Sequence, residues 1–437
     1  MIHGDTRLSQ GSSVSWPPHW RTAPLWSLFE RIKDVNHPEE DLLSVYREHG
    51  VVKREGRDDN FNKAALDRSI YQLVHPGWLV VNRMKAWQGS VGISTFRGIV
   101  SGHYICFRPT HHENDRFLNW LFRSGPYAAE YASLSRGVRP NQVEIDNEWL
   151  RSLRIMLPPL EEQCRVADFL DAETARIDNL VSARRRQMGL LAMRFSTLVF
   201  DTVRGATEPG PRTRSGLEWL GAVPSSWAVM PVSYQFEVLL GKMLNQDRAR
   251  GEYLAQYLRN TNVQWDRITT DDLLVMDFPP EERVRYSLKA GDLLVCEGGE
   301  PGRAAIWDGR IGEMYYQKAL HRVRARGHSS PRWLYYCLRT ATEQNVFAVE
   351  GNTTTIAHLT GEQLRAHRFP FPDRETQNRL TAQLDANAQS QQRLSALLSH
   401  QLDVLAERRQ ALITAAVTGQ FDVTTASGRS VTEGVTV

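Results

Sequence analysis

Several polar segments of the chain combine cationic, amide and aromatic side chains, which together could contact a nucleic acid. Arg and Lys can neutralise phosphates, and Arg, Asn and Gln can form two hydrogen bonds with one base edge. Such segments occur at residues 82–92, 134–142, 241–250, 258–265 and 350–355, so both halves of the chain contain them. This recurrence favours DNA contact over a set of solvated surface loops. The residues selected as DNA contacts, by type and loop position, are Arg83, Lys85, Gln88, Arg136, Arg139, Asn141, Lys242, Arg248, Arg259, Asn262, Arg303, Lys318, Asn352 and Thr353.

No catalytic motif accompanies these segments. The sequence contains no GxxxxGK[ST] phosphate loop and no HExxH or GxSxG motif. His111 and His112 are better explained by a surface turn than by a metal site, and Glu297 has no evident acid–base partner. We therefore expect no catalytic residue and no metal in this chain. The competing interpretation, a self-sufficient methyltransferase or nuclease, would need a cofactor or metal site that the sequence does not display.

Length, charge and cysteine content restrict the class of protein. The 437 residues carry 53 Lys and Arg against 50 Asp and Glu, a formal charge of +3. So small a charge permits nucleic-acid binding without requiring it. The four cysteines form no CxxC pair, which fits a reducing compartment. The sequence shows no signal-peptide pattern and no run of about 18 apolar residues, so we expect a cytoplasmic protein without membrane contact.

The sequence repeats itself once, at a shift of 214 residues. A repeat of this length indicates a duplicated domain rather than a solenoid unit. Near the start of the two copies the shift becomes 207, which pairs Trp20 with Trp227. At the shift of 214, Pro158 pairs with Pro372, Gln163 with Gln377, Leu170 with Leu384, Asp171 with Asp385 and Gly205 with Gly419.

Each copy ends in a predicted long helix, at residues 160–203 and 373–417. Apolar residues recur near every 3.5 positions, which is typical of a coiled coil. We expect the two helices to pair antiparallel as a rod, about 38 residues and roughly 57 Å long, that separates two globular parts. A pair of core helices in one large domain is the alternative. The seam residues are Val166, Leu170, Ile177, Leu180, Leu191, Leu198, Leu380, Leu384, Leu394, Leu398, Leu405 and Leu412.

The globular parts contain short apolar runs bounded by Gly or Pro, mixed with helical patches. These runs predict strands, and the mixture predicts an α+β fold. We expect two mixed domains in a pseudo-two-fold arrangement, separated by the two long helices. The predicted segments are domains at 1–156 and 206–370, the second beginning with a linker at 206–216, helices at 157–205 and 371–420, and a flexible tail at 421–437.

Three motifs in this order resemble the specificity subunit of type I restriction–modification systems. They are LPPLEEQCRVADFLDAETARIDNLV from Leu157, SGLEWLGAVPSSW from Ser215 and RRQALITAAVTGQFDV from Arg408. The resemblance extends from about Trp16 to Phe421. At the second helix, FPDRETQNRL replaces the common Leu-Pro-Pro-Leu-x-Glu-Gln opening, which weakens the local motif but leaves the register of the repeat intact.

The resemblance implies a non-catalytic subunit in which each globular part, a target recognition domain, reads one half of a split double-stranded DNA target. The helices would set the spacer between the halves and bind two modification subunits, which carry S-adenosylmethionine and methylate adenine. Restriction subunits would add a motor and nuclease that use ATP and Mg²⁺, and this chain would hold no cofactor. The alternatives are a specificity subunit of a methyltransferase-only or type II-like system, and a coiled-coil scaffold that does not bind DNA.

Overall fold

The computed structural model describes residues 14–54, 67–136, 144–243, 251–349 and 358–423. The chain forms two compact units: unit 1 contains residues 1–184 and 399–437, and unit 2 contains residues 185–398. Both boundaries fall inside the two long helices, α5 (Leu160–Val203) and α11 (Arg374–Val417). Each unit therefore combines a globular part with one portion of each long helix, whereas the sequence-based segments separated helices from globular parts.

The globular part of unit 1 is built on a four-stranded antiparallel sheet in the order β2-β9-β6-β7. Its strands are β1 (Arg21–Pro24), β2 (Phe29–Ile32), β3 (Leu43–Tyr46), β4 (Gly50–Lys53), β5 (Gln72–Val74), β6 (Leu79–Asn82), β7 (Val91–Ile93), β8 (Gly98–Val100), β9 (Tyr104–Pro109), β10 (Ser135–Arg136), β11 (Glu144–Ile145) and β12 (Arg154–Leu157). Its short helices are α1 (Leu25–Leu28), α2 (Asp115–Arg123), α3 (Gly125–Ser133) and α4 (Asn147–Arg151).

Helix α2 covers the sheet of unit 1. The side chain of Asn114 accepts a hydrogen bond from Phe117 N at 3.0 Å, which caps the helix, and Asp115 in the first turn complements the helix dipole. The apolar face of α2, which includes Phe117, Leu121 and Phe122, is buried in the core of the unit. Burying each such side chain stabilises the fold by about 1.5–3 kcal/mol.

Unit 2 repeats this plan with a four-stranded antiparallel sheet in the order β16-β24-β21-β22. Unit 2 also contains a separate three-stranded sheet in the order β20-β17-β23. The strands are β13 (Arg212–Arg214), β14 (Ala222–Pro224), β15 (Ala228–Pro231), β16 (Phe236–Leu240), β17 (Leu254–Leu258), β18 (Val263–Gln264), β19 (Arg267–Ile268), β20 (Leu274–Asp277), β21 (Leu293–Cys296), β22 (Ala304–Ile306), β23 (Tyr315–Tyr316), β24 (Leu320–Ala325) and β25 (Arg368–Phe371). The short helices are α6 (Val232–Gln235), α7 (Pro280–Tyr286), α8 (Pro331–Glu343), α9 (Val346–Val349) and α10 (Gly361–Ala366).

A buried glutamine joins each long helix to its globular part in the same way. In unit 1, Gln163 Nε2 donates to Pro158 O at 2.9 Å, and Gln163 Oε1 accepts from Asn114 N at 3.0 Å. In unit 2, Gln377 makes the two matching bonds, at 2.7 and 2.8 Å, to the main chain before α11 and before α8. These paired contacts confirm that the repeat found in the sequence is a repeat of structure.

The seam of the long helices is buried mainly beneath the globular parts. In unit 1 the start of α5 and the end of α11 share one core. Their contacts show that the two helices run antiparallel: Phe169 lies beside Phe421, whereas Asp178, later in α5, pairs with Arg409, earlier in the chain than Phe421. Between Ile177 and Phe195, α5 has no buried residue. The buried seam positions are Val166, Leu170, Ile177, Leu380, Leu384, Leu398 and Leu412, and the partly buried ones are Leu191, Leu198 and Leu405.

Some predicted positions differ from the structure. Leu180 and Leu394, which were predicted to lie in the buried seam, are 44% and 47% exposed. The predicted linker contains β13, which pairs with β14 through its main chain. The first residues of the predicted tail pack on the core of unit 1 through Phe421 and Val423, whereas residues 424–437 lie outside the described residues. Among the helices that the structure describes, none is long and apolar enough to cross a bilayer.

Candidate nucleic-acid interface

A cleft of polar character in unit 1 has a volume of about 820 Å³. Three segments that are distant in sequence form it: the β3–β4 turn, the β6–β7 connection and the β8–β9 turn. The lining residues are Ser44, Val45, Tyr46, Arg47, Glu48, Asn82, Met84, Lys85, Gln88, Ser90, Ser101, His103 and Tyr104. Strand pairing brings them together, since β6 lies between β7 and β9 in the sheet.

The β6–β7 connection is held in shape by its own hydrogen bonds. Asn82 Oδ1 accepts from Met84 N at 3.1 Å, and Trp87 Nε1 donates to Met84 O at 3.0 Å. Gly89 ends the following helical turn with a φ of 87°, a left-handed conformation that favours glycine. Ala86 is buried beneath this turn, which leaves Lys85 and Gln88 exposed at the cleft.

Most described DNA-contact predictions of unit 1 lie at or next to this cleft. Lys85 and Gln88 line it. Arg83 is exposed and pairs through Nη2 with Glu144 Oε2 at 2.7 Å, and the backbone of Arg136 is paired with Glu144 between β10 and β11. The structure thus brings the two predicted segments together. Arg139 and Asn141 lie outside the described residues.

The lining of the cleft contains hydrogen-bond donors and more basic than acidic side chains. Arg47 and Lys85 contribute positive charge, Glu48 is the acidic residue of the lining, and His103 is exposed at the rim. Burial raises the pKa of Tyr104, so its phenol is protonated near neutral pH. The sequence predictions missed Arg47 and His103. The YREHG turn, with a cation, an aromatic ring and a glycine between two strands, was the signal that could have identified Arg47.

Two of the residues predicted as DNA contacts in unit 2, Lys242 and Asn262, are buried in the structure. Lys242 is 2% exposed, and its ammonium forms an ion pair with Glu282 and lies 5.0 Å from the centroid of the Phe278 ring. Asn262 is fully buried: its Oδ1 accepts from Arg259 N at 2.9 Å and its Nδ2 donates to Asp272 Oδ1 at 2.7 Å. Both polar groups are satisfied inside the fold, so neither faces a ligand.

The remaining predictions of unit 2 differ in exposure. Arg259 donates through Nη2 to Asp272 O at 2.9 Å, and Arg303 donates through Nη2 to Asn260 Oδ1 at 2.8 Å, so both guanidinium groups brace the domain internally. Lys318 is exposed. Arg248, Asn352 and Thr353 lie outside the described residues. Among the described candidates of unit 2, only Lys318 has the exposure that a phosphate contact needs.

In unit 1, an aspartate on the long helix receives two donors from α2. Trp120 Nε1 donates to Asp171 Oδ1 at 2.8 Å, and Arg116 Nη1 donates to Asp171 Oδ2 at 2.8 Å. Arg116 also pairs with Asp168. Charge-assisted hydrogen bonds of this kind are stronger than neutral ones and fix orientation. They attach α2 to α5.

In unit 2, Asp385 occupies the matching position on α11. Arg332 Nε donates to Asp385 Oδ1 at 2.7 Å, and the Tyr336 hydroxyl donates to the same oxygen at 2.6 Å. Arg332 also pairs with Asp266, in the turn between β18 and β19, and its guanidinium carbon lies 4.5 Å from the centroid of the Tyr335 ring. Burial alone would lower the pKa of Arg332, but its hydrogen bonds to the two aspartates raise it overall.

Comparison with known proteins finds similarity to type I specificity subunits. A model described as the type I restriction modification DNA specificity domain matches residues 30–185. The specificity subunit of the type I restriction enzyme EcoKI from Escherichia coli (strain K12) is 22% identical over 302 residues, which cover 65% of this chain and 62% of that protein. The match therefore spans less than two thirds of that relative's length.

Two solved structures share the fold. A chain from a structure on complex assembly and conformational transition of the type I R-M system superposes with a TM-score of 0.70 and 15% identity, over 93% of this chain and 100% of that one. The crystal structure of the HsdS subunit from Thermoanaerobacter tengcongensis superposes with a TM-score of 0.54 and 16% identity, over 94% and 99%.

The α+β fold with two long helices is therefore that of an HsdS-type subunit. The matched range begins in β2 and ends at residue 185, close to the point where unit 1 ends within α5. Residues 30–185 thus resemble a type I restriction modification DNA specificity domain, and the chain is similar in sequence to a type I specificity subunit.

Proposed function

We propose that this chain is the DNA-recognition subunit of a type I restriction–modification complex, in which each unit reads one half of a bipartite target. The cleft of unit 1 is the observation that carries the proposal. It lies within the matched specificity domain and exposes Lys85 and Gln88 on a braced turn. Its cation, amide and phenol groups are those that bind phosphates and base edges.

We further propose that the chain itself is non-catalytic and works with partners. The similarity to type I specificity subunits supports two modification subunits bound to the long helices, which would supply S-adenosylmethionine and methylate adenine. Restriction subunits would supply an ATP- and Mg²⁺-dependent motor and nuclease. A methyltransferase-only or type II-like complex would lack the restriction subunits. A salt-dependent gel shift with the reconstituted complex separates DNA reading from a scaffold role, since a DNA reader loses affinity steeply with salt.

Substitutions in the cleft of unit 1 test the proposal. Gln88→Ala is expected to relax one base position of one half-site, at about 1–3 kcal/mol, because a base-edge contact is lost. Lys85→Ala is expected to weaken binding to all sequences and to reduce the salt slope by about one, as the loss of a phosphate contact does. Methylation mapping in a host that carries the complete operon measures the first, and titrations at several salt concentrations measure the second.

Arg108→Ala is the control for these variants. Arg108 is an exposed arginine of unit 1 that does not line the cleft and pairs with Glu30. Its loss should leave both the methylated sequence and the salt slope unchanged. If all three variants behave like the unsubstituted chain, the cleft is not the reading site.

We also propose that the length of the long helices sets the spacer between the half-sites. Deleting one heptad from α5 and one from α11 removes about 10.5 Å of helix from each. The expected result is a changed spacer, or loss of methylation, with both half-site sequences retained. Methylation mapping reads spacer and half-sites together. Altered half-site bases at an unchanged spacer would contradict this role.

A further inference from the structure

Trp120, on the surface of α2 that faces the long helices, connects three parts of unit 1. Its side chain is 8% exposed, and its Nε1 is bound to Asp171 of α5. The guanidinium carbons of Arg123 and Arg409 lie 5.3 and 5.9 Å from the centroid of its ring. Guanidinium groups at this distance are attracted to the face of an indole ring. The Trp120 side chain therefore contacts residues of α2, α5 and α11.

Arg409 attaches this cluster to both long helices. It lies on α11, and its Nε is 3.2 Å from Asp178 Oδ1 on α5. The side chain of Arg409 is 22% exposed, and that of Asp178 is 58% exposed. Such a partly exposed ion pair adds little to stability by itself. Its effect is instead to fix the position of the guanidinium beside Trp120.

Arg123 extends the cluster to the reading cleft. Its Nε and Nη2 donate to Arg47 O at 3.1 and 3.0 Å, and Nη2 also donates to Glu48 O. Burial, reinforced by the positive charge of Arg409, lowers the pKa of Arg123 to about 10, so the group is still charged near neutral pH. One guanidinium therefore holds the backbone of the β3–β4 turn.

The β3–β4 turn is a wall shared by two clefts. Arg47 and Glu48 line the candidate reading cleft, and they also line a second cleft of about 420 Å³. The opposite side of the second cleft is formed by Trp120 and Arg123 together with residues 406–413 of α11, including Arg409. A shift of α11 beneath this cleft would reach the turn through Trp120 and Arg123.

We propose that Arg409, Trp120 and Arg123 form a positioning relay that holds the Arg47–Glu48 turn of the reading cleft against the helix pair of unit 1. The base selectivity of unit 1 then depends on α11, a helix that contributes no residue to the reading cleft itself. The inference rests on the proposed function, because it concerns how well that cleft discriminates bases. Arg409 and Trp120 act through Arg123, and none of the three is assigned a contact with DNA.

Arg409→Leu in the complete complex tests the relay. Residues outside a binding site can alter coupling enough to change an equilibrium by about two- to thirtyfold. We expect the preference for the correct base in the half-site read by unit 1 to fall by about that factor. The half-site read by unit 2 serves as an internal control and should keep its selectivity. Deep methylation mapping on a library with both half-sites randomised measures the two selectivities in one experiment.

Matched variants separate positioning from a general loss of charge or stability. Arg408→Leu removes the same charge one residue earlier, from an exposed side chain, and should leave both half-sites unchanged. Arg409→Lys retains a cation beside the ring and should restore most of the selectivity. If Arg409→Leu reduces the yield of the complex, Arg409→Gln keeps a polar side chain at this partly exposed site and answers the same question.

The outcomes are distinct. Relaxation confined to the half-site of unit 1, with rescue by lysine, supports the relay. Unchanged selectivity in Arg409→Leu, or equal relaxation at both half-sites, overturns it while the proposed function stands. Failure of the unsubstituted complex to methylate any bipartite sequence would instead overturn the proposed function, and with it the relay.

Discussion

Replacing Gly419 by alanine is expected to destabilise unit 1 by about 2–5 kcal/mol. Gly419 follows α11 with a φ of 68°, and a left-handed conformation is unfavourable by about 1–2 kcal/mol for other residues. An added Cβ would also lie 2.4 Å from Pro17 Cγ and 3.0 Å from Trp20 Cζ2. Relieving an overlap with two rigid rings adds about 1–3 kcal/mol. Chemical denaturation, with hydrogen exchange to assign the loss to unit 1, measures the effect.

Gly205 is the counterpart of Gly419 in unit 2, and Gly205→Ala should have a similar effect there. Its φ is 62°, and an added Cβ would lie 2.7 Å from Pro224 and 2.8 Å from Trp227. Gly312→Ala is the control, because no atom lies within 4 Å of its added Cβ and its φ is not positive. If Gly419→Ala and Gly205→Ala are both as stable as Gly312→Ala, neither helix end needs glycine.

Replacing Arg332 by alanine is expected to destabilise unit 2 by about 2–3 kcal/mol. The variant leaves Asp266 and Asp385 close together without their shared cation, and it removes the guanidinium from the ring of Tyr335. The side chains of the two aspartates are 33% and 36% exposed, so water offsets part of the loss. Thermal unfolding monitored by fluorescence measures the loss of stability. Hydrogen exchange of the α8 amides assigns that loss to unit 2.

Arg310→Ala is the matched control for Arg332→Ala. Arg310 also pairs with an aspartate, Asp308, and its guanidinium carbon lies 5.8 Å from the centroid of the Trp307 ring. Its side chain is 46% exposed, however, and it joins no second element, so its loss should change stability by less than about 1 kcal/mol. If the two variants lose equal amounts of stability, the link that Arg332 forms between Asp266 and α11 does not contribute to the stability of unit 2.

The long helices could be predicted almost to the residue. The predicted ranges 160–203 and 373–417 correspond to Leu160–Val203 and Arg374–Val417 in the structure. The reason is local chemistry: prolines precede both helices, glycines with positive φ follow them, and the apolar period is regular between. The duplication strengthened the prediction, because each signal occurs twice at one spacing.

The lining of the proposed reading cleft could be predicted only in part. Lys85 and Gln88 were found because residue type and loop position are local properties. Arg47 and His103 were missed because only the pairing of distant strands brings their turns beside Lys85. The burial of Lys242 could not be predicted, because its sequence neighbours do not reveal Glu282, the partner that allows a lysine to be buried.

The division of α5 and α11 between the units has a consequence for synthesis on the ribosome. Unit 2 is one continuous stretch of chain, so it can fold as soon as that stretch has emerged. The core of unit 1, in contrast, needs Leu412, Ile413, Ala416 and Val417 from α11. The part translated first is thus completed last, and its apolar surface stays open to chaperones or misassembly during the whole translation of unit 2. A premature stop codon within α11 would therefore damage the beginning of the protein more than its middle.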